Sequence, residues 1–586
     1  MRNQLPPVGG FRLRRAIGGL LLLAVIFVGR LVDLQVVESA TLNKLSYDKR
    51  SVSTEVKAPR GRILDSEGKV LAETVYYYDV NVDPTLVGPF SRTVNNQTSD
   101  VSVETARTEL SSLLGVSESE LSTKLQGTSH YSNLAKSISP AIWRKVKALD
   151  IPWVFSESKP HRVYPNGAVA GNLLGFVGKD GEPLEGLEVT MNACLAGQNG
   201  EESYEAGVDG IKIPASTQVT KPAIAGKDVV LTINSDLQYY AQQVMTKYVQ
   251  KEKADWGSAV VIEVKTGKIL VAAESPTVDP NEYWKSDAAD RGSRIFRALF
   301  EPGSTLKTVT AATAVDQGVA NPESHVTAPY ILKVLNGQET IKDSHQHPTQ
   351  KLTLTGVLRD SSNTGIVQIG GQVSAETRYE YLKKFGLGQK TAVNFAGEEQ
   401  GVLHNPKETD GLTNLVTMFG QGMSVTPIQT AMLYQTVANL GTRLSPTLVA
   451  GCQDDSGNLV ATPTQAPVKV LSEASARSTI SMLEKVVEYG GIGRTTKIAG
   501  YRSAGKTGTA QIKNGNGYGY RYAISFIGMV PAEDPQYVLA VTIYKPKTVS
   551  NSIGATPPWV AIMQQVLHEY RVPPSTTKSK DIVMDW

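Results

Sequence analysis

The longest apolar run in the chain lies near its start. Residues 16–29 carry no charged side chain, and a mostly apolar continuation reaches Val37. Basic residues precede this run and no acidic residue does. The pattern predicts a single-pass transmembrane anchor over 16–38, with residues 1–15 in the cytoplasm and the remainder of the chain outside it. A cleaved signal peptide is the alternative, although an Ala-x-Ala cleavage site is absent.

Residues 39–225 show no single hydrophobic period. A helical stalk is expected over 39–56, and the apolar positions at 75–82 predict a strand. Four further segments are predicted to be helical: 103–114, 117–124, 141–149 and 168–177. Gly, Pro and small residues dominate 190–225, which indicates extended segments and linker. Together these features predict an elongated, irregular α+β domain over 39–225.

The pattern changes near residue 226. A predicted strand and helix lead into a β-hairpin at 257–273, and helical segments then dominate from 304 to about 437. The later predicted elements are a helix at 474–489, strands at 502–512, 520–530 and 537–544, a hairpin turn at 514–517 and a helix at 560–570. The fold class predicted for 226–572 is α+β, an antiparallel sheet flanked by helices with a helical subdomain, followed by a flexible tail at 573–586.

Composition narrows the class of protein. The chain has 586 residues, of which 41% are hydrophobic and 20% are charged, a normal balance for a globular protein of more than one domain. Its formal net charge is only +3, and no run of basic residues alternates with aromatic ones. A nucleic-acid-binding function is therefore not expected.

Cysteine and histidine usage gives no indication of a metal site. The two cysteines, Cys194 and Cys452, lack a cysteine or histidine at metal-ligand spacing, so neither zinc nor another cofactor is expected. An oxidising compartment would allow a disulfide between them, but they fall in different predicted domains, which does not favour one. For His345 and His347, a solvated polar loop is favoured over a metal site.

Ser304 and Lys307 form the first candidate catalytic pair. They follow the breaker sequence Glu301-Pro302-Gly303 and open a predicted helix at 304–319. The start of a helix favours a developing oxyanion, and Lys307 lies one turn further along the same face, where its amine can activate the hydroxyl. The alternative is that Ser304 only caps the helix and Lys307 is a surface lysine, because Ser-x-x-Lys pairs also occur elsewhere in this chain.

Two more motifs follow in order, Ser361-Ser362-Asn363 and Lys506-Thr507-Gly508-Thr509. A second Lys-Thr-Gly, at 265–267, lies in the turn of the predicted hairpin, and a second Ser-x-Asn, at 456–458, also has the composition of a turn. The ordered set of three motifs suits a serine nucleophile, an activating amine and a cationic strand that holds a substrate carboxylate.

Each residue of the last motif has an expected role. Lys506 supplies positive charge for an anionic substrate terminus, and Thr507 and Thr509 offer hydroxyl donors to the same carboxylate. Gly508 leaves room for a substrate backbone to lie along the strand. The backbone N–H groups of Ser304 and Thr509 are the candidate oxyanion donors.

The middle motif and Lys307 are expected to handle the proton transfers and the substrate amide. Ser361 is placed to pass a proton to a departing amine, and Asn363 to bond a peptide-like substrate. The alternative for Asn363 is a capping or core hydrogen bond. Lys307 must be neutral to act as a base, and enclosure beside Lys506 would lower its pKa.

These motifs resemble the active-site motifs of penicillin-binding proteins. The segments that carry this resemblance are Glu301-Pro302-Gly303-Ser304-Thr305-Leu306-Lys307, Ser361-Ser362-Asn363-Thr364-Gly365 and Ala504-Gly505-Lys506-Thr507-Gly508-Thr509-Ala510. Segments that resemble the pedestal of the class B, monofunctional group are Ala58-Pro59-Arg60-Gly61-x-Ile63-x-Asp65 and Arg162-x-Tyr164-Pro165. The resemblance therefore implies that 39–225 is an N-terminal pedestal, a dimerisation-type domain. The anchor sequence from Gly29 to Val36 resembles that of the division-specific subgroup, and the lack of a glycosyltransferase-like segment excludes the bifunctional class.

The resemblance implies a peptidoglycan D,D-transpeptidase. Ser304 would attack the D-Ala-D-Ala bond of a stem peptide, release the terminal D-Ala and pass the acyl group to an amine of a neighbouring stem peptide. β-Lactams imitate this dipeptide and would acylate Ser304. The resemblance also implies septal wall synthesis during cell division, with an FtsW-type membrane glycosyltransferase and other division proteins as partners.

The sequence departs from the family pattern in two places. The stretch before the last motif reads Gly490-Gly491-Ile492-Gly493-Arg494 where members commonly carry a Gly-Thr pair, and Asp65 precedes Ser66 where many have a basic residue. Two other functions stay open: a D,D-carboxypeptidase or β-lactamase-type hydrolase with the same residues, and a catalytically silent division scaffold. The anchor and pedestal argue against a simple β-lactamase, and the full motif set argues against the scaffold.

Overall fold

The computed structural model describes residues 10–207, 216–454, 456–514 and 517–586. Most of the predicted tail at 1–15 and the centre of the predicted turn at 514–517 lie outside the described residues. The α-helices are α1 Gly10–Val32, α2 Ser39–Arg50, α3 Val103–Leu114, α4 Glu118–Lys124, α5 Pro140–Lys147, α6 Gly171–Leu174, α7 Gly186–Thr190, α8 Asn192–Leu195, α9 Ser235–Lys251, α10 Arg294–Arg297, α11 Lys307–Asp316, α12 Leu354–Asp360, α13 Asn363–Gly370, α14 Ala375–Lys384, α15 Gly411–Val416, α16 Pro427–Ala438, α17 Glu473–Tyr489 and α18 Thr556–Glu569.

The β-strands alternate with these helices along the whole chain. They are β1 Ser51–Val56, β2 Ile63–Leu64, β3 Val70–Val82, β4 Phe90–Val94, β5 Gln97–Val101, β6 Ser132–Ile138, β7 Val154–Val163, β8 Gly200–Glu205, β9 Gln218–Lys221, β10 Asp228–Leu231, β11 Trp256–Glu263, β12 Ile269–Ser275, β13 His325–Ala328, β14 Ile331–Val334, β15 Glu339–Lys342, β16 Gln350–Thr353, β17 Thr442–Arg443, β18 Val449–Gln453, β19 Leu459–Ala461, β20 Val468–Lys469, β21 Ala504–Asn514, β22 Gly517–Val530 and β23 Tyr537–Tyr544. The mixture of helices and antiparallel strands confirms the predicted α+β class.

The chain divides into two compact units, each built from separate stretches of sequence. The first contains Met1–Pro59, Tyr76–Pro160 and Gly197–Ala225, and the second contains the three stretches Arg60–Val75, His161–Ala196 and Gly226–Trp586. Two stretches within the predicted pedestal at 39–225 thus belong with the C-terminal part of the chain. The reason is strand pairing and burial, since β2 lies parallel to β10, and Glu188 is fully buried between Arg60 and Arg162.

The first unit has its own hydrophobic core. Helices α3 and α4 pack on β3 and β6, and the core includes Val80, Leu110, Leu121, Leu134 and Trp153. At the start of α3, the Ser102 hydroxyl accepts a hydrogen bond from Thr105 N–H, as expected for an N-cap. Strand β8 pairs with β1 and β9, both antiparallel.

Among the described residues, one helix is long and apolar enough to cross a membrane. It spans Leu13–Val37, which is 25 residues, and it leaves its most apolar part fully exposed. The span therefore includes a short π-helical stretch, Asp33–Val37, that continues α1. Its length and composition fit the anchor predicted at 16–38.

The second unit is centred on an antiparallel sheet of five strands in the order β12-β11-β23-β22-β21. Alternate residues of the central strands point to opposite faces and both faces are buried, so these strands appear in the sequence as continuous apolar runs. Ala259 and Val261 pack with α9 and α18 on one face, whereas Val260 and Ile262 join the core that contains α11, α16 and α17. The strand β21, which carries the last motif, is at the end of this order.

The structure confirms the predicted hairpin at 257–273, with the second Lys-Thr-Gly in its turn. Strands β11 and β12 pair antiparallel, and Gly267 adopts a φ of 75°, a left-handed conformation that suits glycine. The helix predicted at 168–177 is mostly absent, since only Gly171–Leu174 is helical. The predicted helix at 304–319 begins instead as a 3₁₀ turn, Gly303–Leu306.

The segment at 573–586 differs from the predicted flexible tail. Ile582 is buried, Trp586 stacks on His325 with ring centroids 4.5 Å apart, and Trp586 Nε1 donates to Leu352 O at 3.1 Å. These contacts could not be predicted from the polar composition of the segment, because they involve backbone groups and isolated side chains that form no sequence pattern.

Cys194 and Cys452 form a disulfide, contrary to the expectation from the sequence. Their Cα atoms are 6.3 Å apart and 258 residues separate them along the chain. The expectation was wrong because it placed the cysteines in different domains. In the structure both lie in the second unit, where Lys227 N–H donates to Cys194 O and Val229 pairs with Cys452.

We expect replacement of both cysteines, Cys194→Ala with Cys452→Ala, to lower the free energy of unfolding by about 2–5 kcal/mol, because a long loop of the unfolded chain is released. Thermal melting of the full chain, with and without reductant, measures this. Wild type in reductant should melt at the temperature of the variant, and the variant itself should not respond to reductant. Equal melting temperatures for wild type and variant without reductant would contradict the prediction.

Candidate active site

Ser304 lies in the 3₁₀ turn that precedes α11. Gly303 has a φ of 58°, and its N–H donates to Gly420 O at 3.0 Å. A Cβ on Gly303 would lie 3.3 Å from the carbonyl carbon of Thr509, so this turn packs directly against β21. The Ser304 hydroxyl makes no capping bond and instead accepts from Lys307 Nζ at 3.0 Å. The interpretation of Ser304 as a helix cap is therefore wrong.

Lys307 is fully buried, which excludes a surface lysine. Its Nζ donates to Ser304 Oγ, to Ser361 Oγ at 3.3 Å, and to the carbonyl oxygen of Ser361. Burial, and then the positive charge of Lys506, hold the pKa of Lys307 well below its usual range, while Asp343 opposes this shift. The depressed pKa makes the amine easier to deprotonate, and a neutral amine here can accept the proton of Ser304.

Lys506 is also fully buried, on β21. Its Nζ lies 3.0 Å from Ser361 Oγ and 3.2 Å from Thr507 Oγ1. Burial lowers the pKa of Lys506 to about 7, against the attraction of Asp360. The sequence predicts that Lys506 carries a fixed positive charge that contacts the substrate, and the structure differs in two ways. The amine loses its proton near neutral pH. It is also buried, and it contacts the hydroxyl groups of Ser361 and Thr507 instead of being exposed itself.

Ser361 lies between the two lysines. Its backbone is left-handed, with φ 60° and ψ 34°, directly after the last residue of α12. Such a conformation is uncommon for a residue with a side chain and costs about 1–2 kcal/mol. In return, its hydroxyl comes within hydrogen-bond distance of both amines, an arrangement that can relay a proton.

Asn363 is the first residue of α13, and its side chain has one structural bond. Its Nδ2 donates to Lys342 O at 2.8 Å, and among the described residues no donor meets its Oδ1. The cap of α13 is the neighbouring Ser362, whose hydroxyl accepts from Gly365 N–H at 2.9 Å. The Asn363 NH₂ group thus makes a structural hydrogen bond, as the alternative interpretation predicts, while the side-chain carbonyl oxygen stays available to a substrate.

The residues after Lys506 have different surroundings. Thr507 and Thr509 are partly exposed, and Thr509 Oγ1 lies 3.4 Å from Ser552 Oγ. Gly508 is buried, and a Cβ there would lie 2.4 Å from Ser525 Oγ and 2.8 Å from Thr305 Cγ2. Packing inside the fold therefore requires glycine at this position, and the role of Gly508 beside a substrate backbone stays a prediction.

Asp343 is a functional candidate that lies outside the three sequence motifs. It is buried, and its carboxylate accepts from the N–H groups of Asn363 and Thr364 and from Ser362 Oγ, the last at 2.8 Å. Asp343 therefore fixes the start of α13 and adds negative charge near Lys307. Its sequence surroundings, a polar loop, gave no periodicity or motif that would mark it.

The loop with His345 and His347 is only partly solvated. His345 is exposed, but the side chain of His347 is 9% exposed and its Nε2 lies 2.9 Å from Asp343 Oδ2. Burial alone would lower the pKa of His347, but hydrogen bonds to Pro348 O and Asp343 raise it above its ordinary value. The prediction of a solvated loop is therefore wrong for His347.

Two family models match most of the chain. The penicillin binding protein transpeptidase domain matches residues 257–566, and the penicillin-binding protein dimerisation domain matches residues 55–231. Penicillin-binding protein PbpB of Mycolicibacterium smegmatis is 33% identical to the chain, over 96% of the chain and 91% of that protein. Peptidoglycan D,D-transpeptidase FtsI of Escherichia coli K12 is 30% identical, over 96% of the chain and 92% of that protein.

Solved structures agree with these relatives. A peptidoglycan synthetase from Bifidobacterium adolescentis superposes with a TM-score of 0.73 at 31% identity, over 92% of this chain and all of that one (100%). Penicillin-binding protein 3 of Mycobacterium tuberculosis in complex with aztreonam superposes with a TM-score of 0.69 at 27% identity, over 91% of this chain and 100% of that one.

Fold and site together define a serine acyltransferase of the penicillin-binding class. The chain belongs to the penicillin-binding protein transpeptidase family. Within that family it is a class B, monofunctional peptidoglycan D,D-transpeptidase of the division type, the group that contains PbpB and FtsI.

We expect the rate of acylation by a fluorescent penicillin to have a maximum as a function of pH. The rate should rise with pH as Lys307 loses its proton, because burial and the charge of Lys506 depress the pKa of Lys307. It should fall above about pH 7 as Lys506 deprotonates and stops attracting the substrate carboxylate. Lys265→Gln, in the Lys-Thr-Gly of the hairpin turn, serves as the control and should leave both limbs unchanged. A rate that does not fall above neutral pH would contradict the assigned role of Lys506.

Proposed function

We propose that this chain cross-links peptidoglycan stem peptides through an acyl-enzyme on Ser304, in septal wall synthesis during cell division. The observation that carries the proposal is the 3.0 Å contact between Ser304 Oγ and the buried amine of Lys307, with Lys506 connected to the same cluster through Ser361. A buried amine with a depressed pKa beside a hydroxyl is the arrangement that nucleophilic acyl transfer requires.

In the acylation step, Lys307 takes the proton of Ser304 as Oγ forms a bond with the carbonyl carbon of the penultimate D-Ala. The backbone N–H groups of Ser304 and Thr509 would donate to the resulting oxyanion, and one such donor typically lowers the barrier by about 3 kcal/mol. The C–N bond then breaks, and Ser361 passes the proton held by Lys307 to the amine of the leaving D-Ala. Atoms and charge balance without a cofactor or a metal.

The substrate is held by its carboxylate and its amide. The hydroxyl groups of Thr507 and Thr509 donate to the carboxylate. Lys506 donates to Thr507 Oγ1, and its positive charge strengthens the binding of the carboxylate. Asn363 Oδ1 accepts from a substrate N–H. An amine of a second stem peptide then attacks the acyl carbon and loses its proton to Lys307 by way of Ser361. The bond between the acyl carbon and Ser304 Oγ breaks, and Lys307 returns the proton to Oγ, which restores the free hydroxyl.

The remaining alternatives differ in what happens to the acyl-enzyme. A D,D-carboxypeptidase or β-lactamase-type hydrolase would transfer the acyl group to water and clear a penicillin adduct quickly. A catalytically silent scaffold would form no adduct at all. The transpeptidase and the hydrolase would use the same residues, so the lifetime of the penicillin adduct distinguishes these two. The requirement for Ser304 distinguishes both enzymes from the scaffold.

We expect mass spectrometry of the full-length protein after penicillin treatment to place a long-lived adduct on the peptide that contains Ser304, because Lys307 activates this hydroxyl. Ser304→Ala should abolish the adduct and stop septation when it is the only copy in the cell. Ser66→Ala, an exposed serine that also precedes a lysine by three residues, is the matched control and should react as wild type. Normal septation with Ser304→Ala would favour the scaffold.

The proposed setting is the cell membrane. We infer that Leu13–Val37 crosses it once, with the N-terminus in the cytoplasm, since basic residues precede the span. We further propose that an FtsW-type glycosyltransferase and other division membrane proteins contact the anchor and the pedestal. This inference rests on family resemblance and on the exposed apolar surface of the anchor.

Replacement of Leu13–Val37 by an unrelated apolar span of equal length should keep the catalytic part outside the membrane but reduce co-purification with the glycosyltransferase, because the partner would recognise side chains of the anchor. Protease treatment of intact spheroplasts reports the orientation, and affinity capture reports the partner. An exchange of the pedestal alone is the comparison. Undiminished capture with the foreign span would limit the contact to the pedestal.

A further inference from the structure

The segment at 575–586, called the strap below, lies along the elements that build the active site. Arg502, just before β21, donates from Nη1 to Thr577 Oγ1 at 2.6 Å. Lys485 of α17 donates to Ser579 Oγ at 3.1 Å. The strap thus runs beside the helix and the strand that surround Lys506, although none of its residues belongs to a catalytic motif.

The last residues of the strap hold the start of α12. Thr353, the N-cap of α12, accepts from Gly356 N–H and donates from its own N–H to Met584 O at 2.9 Å. Its hydroxyl also donates to Val583 O at 2.7 Å. Because α12 has only seven residues, a restraint on its first turn also limits the position of its last turn, which leads into Ser361.

The strap also holds the end of α12, through a guanidinium shared by two carboxylates. Arg359 donates two bonds to Asp360, at 2.7 and 2.6 Å, and two bonds to Asp585, at 2.7 and 2.8 Å. The side chain of Arg359 is 15% exposed and that of Asp585 is 61% exposed. Such a pair adds little stability by itself, but two bidentate contacts fix the plane of the guanidinium and with it the carboxylate of Asp360.

Asp360 connects this network to the reacting groups. It immediately precedes Ser361, whose left-handed backbone requires a defined exit from α12. Its carboxylate also acts on Lys506, whose pKa it raises against the effect of burial. The charged groups around the two buried amines are therefore Asp360 beside Lys506, Asp343 beside Lys307, and the amines themselves.

We propose that Asp585 and Arg359 are positioning residues for the reaction at Ser304, and that the strap sets the orientation of Ser361 between the two lysines. This inference rests on the proposed function. Asp585 touches no reacting group, so it acts through Arg359 and Asp360.

The pH profile of acylation distinguishes a positioning role of the strap from a role in stability alone. Without the Asp585 charge, Arg359 pairs with Asp360 alone and neutralises it more completely. Lys506 then loses part of the attraction that favours its protonated form, and the pKa of Lys506 moves further down. The alkaline limb of the acylation profile should therefore shift to lower pH, a change that a loss of stability alone does not produce.

The experiment measures acylation of the full-length protein by a fluorescent penicillin across pH, together with its melting temperature. Asp585→Asn should slow acylation by roughly three- to tenfold, a moderate loss for a displaced catalytic group, and shift the alkaline limb down with little change in melting temperature. Asp585→Glu should recover most of the rate. Asp581→Asn, the same change at an exposed residue of the strap, is the matched control and should behave as wild type.

A double-variant cycle assigns the effect to the pair. Arg359→Gln should slow acylation, and adding Asp585→Asn to it should cause no further loss, because the connection is already broken. The proposal is overturned if Asp585→Asn acylates at the wild-type rate with the wild-type pH profile, or if Asp581→Asn slows acylation equally. Failure of the wild type to be acylated would instead refute the proposed function, which keeps the two outcomes distinct.

Discussion

Two buried lysine amines around one serine hydroxyl are the constraint on which the site depends. Lys307 and Lys506 are both fully buried, and each lies within 3.3 Å of Ser361 Oγ. Water would stabilise the protonated form of both lysines and keep their pKa values high. The fold must therefore exclude water from the two amines and still supply a hydrogen-bond acceptor for each of their N–H groups. Helix α11 and the β21 end of the sheet provide this enclosure, and Asp343 and Asp360 limit the electrostatic cost from either side.

The sequence predicted the parts of this site that are local. Ser304 and Lys307 are three residues apart, and Lys506 lies in a predicted strand that a turn connects to a second strand, so motif and period were sufficient. The hairpin that contains the second Lys-Thr-Gly was equally clear, because Gly267 sits where a tight turn needs a left-handed residue. The same local signals gave the α+β class.

The remaining features depend on contacts between residues that are far apart along the chain. The Cys194–Cys452 disulfide was not expected because the second unit is assembled from separate stretches, which composition does not reveal. Asp343 is identified by the donors from residues 362–364 that surround its carboxylate, and these lie at the start of α13. The packing requirement for glycine at 508 depends on Ser525 and Thr305, which lie across the fold and cannot be identified as its neighbours from the sequence.

The left-handed backbone of Ser361 has an evolutionary consequence. Glycine, asparagine and aspartate tolerate that conformation best, whereas a β-branched residue would be strained there. Threonine, the one other aliphatic alcohol, is therefore excluded by shape, and the residues that fit the backbone lack a hydroxyl. Natural variation therefore has almost no room at this position, because a replacement either strains the backbone after α12 or removes the hydroxyl between the two amines.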